Sequence, residues 1–346
     1  MKHCFLIISL FFCFIHSAYA ASSEILNIYT WAGEIPDAVI AQFEKETGIK
    51  VNYATFDSNE IMYAKLRTRK ESGYDIVEPS NYYIQRMMHQ NMLQKLDKTK
   101  LSFWNAIDPF FIHVPYDPDS DYSVPFVWGV TGLYYNQEYF NAFDITCWMD
   151  LMNKKFVHQL FLLDDAREVF AVALRMLGYS GNDTDPAHIK QAYKKLKKLL
   201  DNVKVFNTDA VLSILIDEDA TAGMVWNADL YSAHQENSKL HFVFPSDHFT
   251  IWIDNLAILK NAPHVDNAYR FINFLMRPEI AKEVSLNIHY ATTNTAAKAL
   301  MPAAIQHNPM LYPPLDKLKN GELQLDIGDN AFALMEKYWE QLKMGG

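Results

Sequence analysis

Between Ile25 and Tyr83 short apolar runs alternate with capped, helix-like stretches, and this order leaves few folds open. Ile25-Leu26-Asn27-Ile28-Tyr29 reads as a short strand. Pro36-Asp37 opens a helix with Val39, Ile40 and Phe43 on one face, closed by Gly48. Ile49 to Phe56 is a second strand, with Val51, Tyr53 and Thr55 alternating. Asp57-Ser58-Asn59-Glu60 has capping-box spacing for a helix to about Glu71, ended by Gly73. Tyr74 to Val77 is a third strand, followed by Pro79-Ser80 and another helix. Strand-helix-strand-helix-strand order implies a parallel sheet with helices on its faces.

A second block repeats the logic. Gln159 to Leu163 reads as a strand, Asp164 to Leu177 as a helix, Asp185-Pro186 as the start of a helix to Leu200, and Ala222 to Trp226 as a strand. Lys194, Lys195, Lys197 and Lys198 mark the solvated face of the second helix. Two apolar segments, Trp128 to Tyr135 and Thr250 to Leu259, lack the breakers of a loose linker and are predicted to cross between the blocks. The C-terminal part is helical: Val265 to Met276, a helix from Pro278, and Asn330 to Lys343 with Phe332, Met335, Trp339 and Leu342 on one face. Two α/β lobes joined by two crossing strands make a hinged cleft. Ligands in such sheets bind beyond the carboxyl ends of the strands, which selects Trp31, Ser80, Tyr82, Asp165, Glu168 and Trp226.

The N-terminus reads as an export signal. Lys2 precedes an apolar run from Phe5 to Ile15, and Ala18-Tyr19-Ala20 predicts cleavage after Ala20. The run is too short for a retained span, and no later stretch is long enough to cross a membrane. With Cys4 and Cys13 in the signal, Cys147 is the one remaining cysteine, so no intrachain disulfide is expected, and its neighbours suggest ordinary packing. Half of the 346 residues are hydrophobic, enough for a sizeable core. The formal net charge is −10, which argues against a general nucleic-acid binder and suits a cationic partner.

The selected positions are aromatic and acidic. On a strand, Trp252 and Asp254 share a face while Ile253 points away. An indole beside a carboxylate suits an ammonium group, although a core Trp beside a surface Asp has the same pattern. Asp165-Ala166-Arg167-Glu168 fits a plain capping box and equally a pair of cleft carboxylates. Tyr82-Tyr83 leaves open a ferric-iron site or one core and one exposed tyrosine. The chain has no G-x-S-x-G, H-E-x-x-H, P-loop or dinucleotide glycine pattern, and its twelve histidines are scattered. No metal or cofactor is expected.

These residues, taken together, resemble the periplasmic spermidine/putrescine-binding proteins of polyamine ABC transporters. The likeness runs through Phe43 to Val51, Ser58-Asn59-Glu60, Tyr74 to Val77 with Pro79-Ser80, Asp164 to Phe170, Gly178 to Asn182, Phe271 to Leu275 and Asn320-Gly321-Glu322. The resemblance implies a two-lobed periplasmic binding protein fold of type II. Lobe 1 would be residues 21–131 with 254–298, and lobe 2 residues 132–253 with 299–346. By the same resemblance Trp31, Tyr82, Trp226, Trp252 and Tyr290 would sandwich a methylene chain. Asp165, Glu168 and Asp254 would hold its amines, and Ser80 and Gln324 would hydrogen-bond to it. It implies a monomer that is no enzyme, works in the periplasm and serves an inner-membrane ABC permease, without nucleic acid or membrane insertion.

One stretch departs from the family. After the first-strand Trp, spermidine binders of this type carry Thr-Glu-Tyr, and this chain has Ala32-Gly33-Glu34. Glu34 is therefore expected to tune polyamine preference from a surface turn. A polyamine alternates charge with apolar methylenes, so its site needs separated carboxylates with flat walls between them. Each cation–π contact contributes roughly 0.5 to 2 kcal/mol, and a micromolar complex needs only about −8 kcal/mol net. Two other classes stay open from the residues alone. One is a secreted carbohydrate-active enzyme using Asp165 and Glu168, and the other is an iron-binding protein using Tyr82 and Tyr83.

Overall fold

The computed structural model describes residues 24–68 and 72–344. The predicted signal and its cleavage site lie outside the described residues. The elements in chain order are β1 (Ile25–Trp31), α1 (Asp37–Thr47), β2 (Lys50–Phe56), α2 (Asn59–Thr68), β3 (Ile76–Val77), α3 (Asn81–His89), β4 (Val124–Asn136), β5 (Leu160–Leu162), α4 (Ala166–Arg175), α5 (Pro186–Leu199), β6 (Val203–Phe206), α6 (Val211–Ile216), β7 (Ala222–Trp226) and α7 (Asn227–Glu236). They continue with β8 (Leu240–Val243), β9 (Phe249–Ile258), α8 (Val265–Leu275), α9 (Pro278–Ile288), β10 (Ala291–Thr292), α10 (Thr295–Ala299), α11 (Ala303–Gln306), α12 (Leu315–Leu318), β11 (Gly321–Leu323) and α13 (Gly328–Lys343). Most elements read from the sequence are present, with ends shifted by a few residues. Helix α2 is described only to Thr68, so its predicted end at Glu71 lies outside the described residues.

The strands follow the order β2-β1-β3-β9-β4-β7-β5-β6. Neighbours β1 and β2, β1 and β3, β5 and β6, and β5 and β7 are parallel. This is the pattern expected of two α/β lobes. Between them run β4 and β9, antiparallel to each other from Val124 opposite Leu256 to Thr131 opposite Thr250. One half of β9 pairs with β3 and the other with β11, while β4 continues into pairing with β7. Every residue of both crossing strands is buried. That burial is why they read as unbroken apolar runs rather than alternating ones.

Two glycines on these strands are dictated by close approach. Gly223 of β7 has φ 148°, and a Cβ there would overlap the Phe161 carbonyl oxygen of β5. Gly129 of β4 lies directly opposite Trp252, and a Cβ there would overlap the indole ring. The missing side chain on β4 thus makes room for the ring on β9.

Several of the resembling stretches hold the lobes together rather than lining the cleft. Asp75 sits ahead of β3 and accepts the backbone N–H of Asn27 at 2.8 Å and of His264 at 2.6 Å. Glu322 accepts from Arg175 at 3.1 Å, from the Gly181 backbone at 2.8 Å and from Ser180. Arg167 donates to the Gly181 carbonyl at 2.6 Å and to the Asn182 side chain. Cys147 opens a short 3-10 turn, and burial pushes its thiol pKa up, away from the reactive thiolate.

Candidate functional site

The strand-end rule places residues as expected. Trp31 ends β1, Trp226 ends β7, and Asp165 follows β5 at the start of α4. Ser80 starts α3 and meets β9 through an isolated bridge to Asp254. Its hydroxyl donates to the Asp254 carboxylate at 2.6 Å. Asn59, the first residue of α2, supports this contact. Its side-chain oxygen accepts the Ser80 backbone N–H at 3.1 Å, and its amide donates to the Ser80 hydroxyl at 3.0 Å and to the Tyr82 hydroxyl at 3.3 Å. Asn59 therefore ties the Asp254 end of the cleft to the Tyr82 end.

Around Asp254 the side chains converge. Trp252 meets Tyr290 edge to face with ring centroids 5.2 Å apart, and Trp31 packs on Phe56 at 4.7 Å. Glu34 stands beside both Asp254 and Glu78, and like charges so close disfavour its ionised form. The placement of Glu34 corrects the sequence reading: it is 5 % exposed and not on a surface turn. The turn after β1 folds inward against the ends of β3 and β9, and Ile35 beside it is also buried.

The residue missed is Glu78. It directly follows β3, is fully buried, and neither of its carboxylate oxygens bonds to a protein donor. The strand-end rule contained the signal, since Glu78 is the first residue past the predicted strand. Burial pushes the pKa of Glu78 well above the usual carboxylate range, with the Glu34 carboxyl opposing and the Asp254 charge adding to it. Burial followed by Glu78 and Asp254 does the same to Glu34. Asp254 is pushed up to about 6 by burial, with the Ser80 hydroxyl opposing. Among the described residues no Lys, Arg or His is a leading influence on any of the three.

A second acidic group lies around α4. Asp165 accepts the Glu168 backbone N–H at 2.9 Å as the N-cap. The Glu168 carboxylate does not return the bond and instead accepts from Thr131 on β4 at 3.0 Å. Only half of the capping box forms. Trp226 lies opposite Thr131 in the ladder, which brings it beside this group. Glu60 of α2 also faces Asp165, a second residue the sequence reading left to capping; burial and the Asp165 charge push its pKa up to about 7. Burial, then Asp165, puts Glu168 at about 7. Unlike the first group, this one has cations nearby in Arg167 and Arg175. Gln324 is 4 % exposed, its backbone carbonyl accepts from Asn81, and its side-chain amide nitrogen meets no protein acceptor.

Ten of the eleven sequence-selected residues therefore fall into two linked groups. Trp31, Glu34, Ser80, Trp252, Asp254 and Tyr290 form one, with Glu78. Tyr82, Asp165, Glu168 and Trp226 form the other, with Glu60, and Gln324 sits beside α3. Tyr83 turns into the core and donates to Glu60 at 3.2 Å, while the Tyr82 hydroxyl accepts from Asn59. The two tyrosyl oxygens take different partners, so the pair gives the iron reading no geometric support. A cavity of about 510 Å³ lies elsewhere, lined by Phe110, Phe111, Trp128, Lys298 and Tyr312, and none of the selected residues borders it.

The carboxyl pair around Glu78 has a consequence for stability. A carboxyl whose folded pKa is raised holds a proton that the unfolded chain has released. Stability therefore falls as pH rises from the unfolded value, about 4.3, through the folded one. Glu78→Gln removes part of this penalty, and its amide can donate to Glu34. The variant without ligand should melt higher than wild type by a few degrees at about pH 8, with the gap closing near about pH 4. Equal melting temperatures across that range in a thermal-unfolding series would show that Glu78 carries no such penalty.

Comparison with known proteins gives the family. Residues 38–313 match the family model of bacterial extracellular solute-binding proteins. The chain is 44 % identical to the spermidine/putrescine-binding periplasmic protein of Salmonella typhimurium, over 95 % of this chain and 94 % of that one. A Listeria monocytogenes protein named for a spermidine/putrescine ABC transporter superposes with a TM-score of 0.88 at 37 % identity, covering 94 % of this chain and 100 % of that one. The spermidine/putrescine ABC transporter substrate-binding protein of Streptococcus pneumoniae gives 0.81 at 33 %, covering 93 % and 99 %. With two α/β lobes, two crossing strands and a cleft at their strand ends, the chain belongs to the bacterial extracellular solute-binding proteins.

Proposed function

We propose that this protein captures a linear polyamine, spermidine or putrescine, between its lobes in the periplasm and delivers it to an inner-membrane ABC permease. The observation that carries the reading is the acidic cleft itself. Buried carboxylates stand in two groups linked by Asn59 and Tyr82, with indole and phenol rings around them, and among the described residues no cation is a leading influence on the group at Asp254. A diamine or triamine supplies the missing charges at its ends and an apolar chain between them. In this reading Asp254, Glu34, Asp165 and Glu168 hold amines, and Ser80 and Gln324 supply polar contacts. Trp31, Tyr82, Trp226, Trp252 and Tyr290 wall the methylenes. The protein works as a monomer without catalysis, with lobes at 21–131 with 254–298 and 132–253 with 299–346. Its periplasmic placement follows from the predicted export signal and from relatives named as periplasmic. No helix among the described residues is long and apolar enough to cross a membrane.

Calorimetric titration of the purified chain with spermidine and putrescine should give binding at micromolar or tighter dissociation constants, about −8 kcal/mol or better. The ligand should be recovered unchanged. Absence of binding heat for every linear polyamine at modest ionic strength, with equilibrium dialysis agreeing, would overturn the reading.

A further inference from the structure

The reading above leaves Glu78 without a task, yet it is among the most enclosed charged side chains of the chain. Its carboxyl group is a close neighbour of that of Glu34, both side chains are buried, and both Glu78 oxygens and Glu34 Oε2 have no protein donor. The groups facing this pair come from every side. Asp254 faces it from β9, Tyr53 from β2, and Tyr290 from the segment ahead of β10, with Asp229 of α7 beside Tyr290. The Trp31 indole stands at the end of β1 next to Asp254. All are acidic or neutral. The indole nitrogen of Trp252 is likewise buried without a protein acceptor, and that of Trp31, near Asp254, forms no close bond to it. The place is thus built of unpaired acceptors and donors rather than of a closed structural network.

Two carboxyl groups in contact in a dry site without a cation cannot both ionise, and together they keep one proton. An arriving ammonium brings a unit charge and three N–H donors, which removes the need for that proton. We propose that Glu34 and Glu78 form one proton-sharing carboxyl pair and that the end ammonium of the ligand displaces the shared proton to solvent, coupling capture to proton release. This rests on the polyamine reading. The balance is simple. The carboxylic acid and its carboxylate partner become two carboxylates, the ligand stays an ammonium, and one proton passes to the buffer. No covalent bond to carbon forms or breaks. Affinity then rises with pH while the pair is protonated, by at most about tenfold per unit, and levels off once it has ionised.

Titration with spermidine at about pH 7, in buffers of widely different ionisation enthalpy, reads the coupling directly. The slope of observed heat against buffer enthalpy should correspond to release of about one proton per ligand. Glu78→Gln should bring the release close to zero and flatten the dependence of Kd on pH between about pH 6 and about pH 8. Glu34→Gln should do the same, because a shared proton needs both partners, and it carries the test if the first variant folds poorly. Glu78→Gln leaves Glu34 beside Asp254, so release that persists in that variant and is lost only in Glu34→Gln assigns the proton to Glu34 and Asp254 and overturns the pairing with Glu78. Wild-type binding with no proton exchange and one Kd across that range overturns the coupling and leaves the polyamine reading standing. Undiminished release in both variants also overturns it. Absence of binding in every buffer overturns the polyamine reading itself, and the coupling with it.

Discussion

Asp254→Asn will weaken spermidine binding by about 2 to 5 kcal/mol, roughly thirtyfold to several-thousandfold. Asn preserves the shape, and its side-chain oxygen can still accept the Ser80 hydroxyl that Asp254 holds at 2.6 Å. What is lost is charge, in a place where a desolvated ammonium has no water to replace it. Asp254 stands on β9, whose residues are all buried and whose backbone is paired on both sides. The carboxylate therefore cannot be replaced by a shift of a mobile loop. Glu34 and Glu78 lie close enough to take over part of its charge, which sets the lower end of the range. Titration calorimetry on the folded variant decides the matter. A dissociation constant within about twofold of wild type would remove Asp254 from the recognition site.

Gly223→Ala should lower the stability of the protein without ligand by about 2 to 6 kcal/mol, combining overpacking with backbone strain. The new Cβ would overlap the Phe161 carbonyl oxygen, a backbone atom that cannot rotate away. The residue also sits at φ 148°, where an L side chain is disfavoured. Relief requires β5 and β7 to separate. At about 2 to 4 °C per kcal/mol for a chain of this size, the melting temperature falls by roughly 5 to 20 °C. A scan of wild type and variant that agrees within about 2 °C contradicts this reading. Because Asp165 follows β5 and Trp226 ends β7, the surviving folded variant should also bind polyamine more weakly.

Local signals made most of the fold legible. Pro36 and Gly48 bracket α1, Asp185-Pro186 opens α5, and the apolar runs of β4 and β9 announce strands buried on both faces. The short strands β6, β8, β10 and β11 are not legible in the sequence, because two to four residues carry too little periodicity to stand out. The motif around Asp75 and that around Glu322 were legible as patterns but not as roles. Only the folded chain separates a carboxylate that fastens backbone from one that faces a cleft.

The sequence by itself determined which residue types stand at the carboxyl ends of the strands, and hence Trp31, Ser80, Asp165 and Trp226, because strand order and side-chain alternation are local properties. It also determined that Trp252 and Asp254 share a face. Tertiary structure decided burial and company. Glu34 looked like part of an exposed turn, yet it is enclosed by the ends of β3 and β9 and by Tyr290, segments separated from it by some forty to two hundred and fifty residues. Glu78 lies between the third strand and Pro79 with no pattern to mark it, yet it is fully buried beside Glu34. The protonation of a carboxyl group depends on how much water it has lost and which charges lie within a few ångströms. Both quantities exist only after distant segments have packed, so no local pattern in the chain carries them.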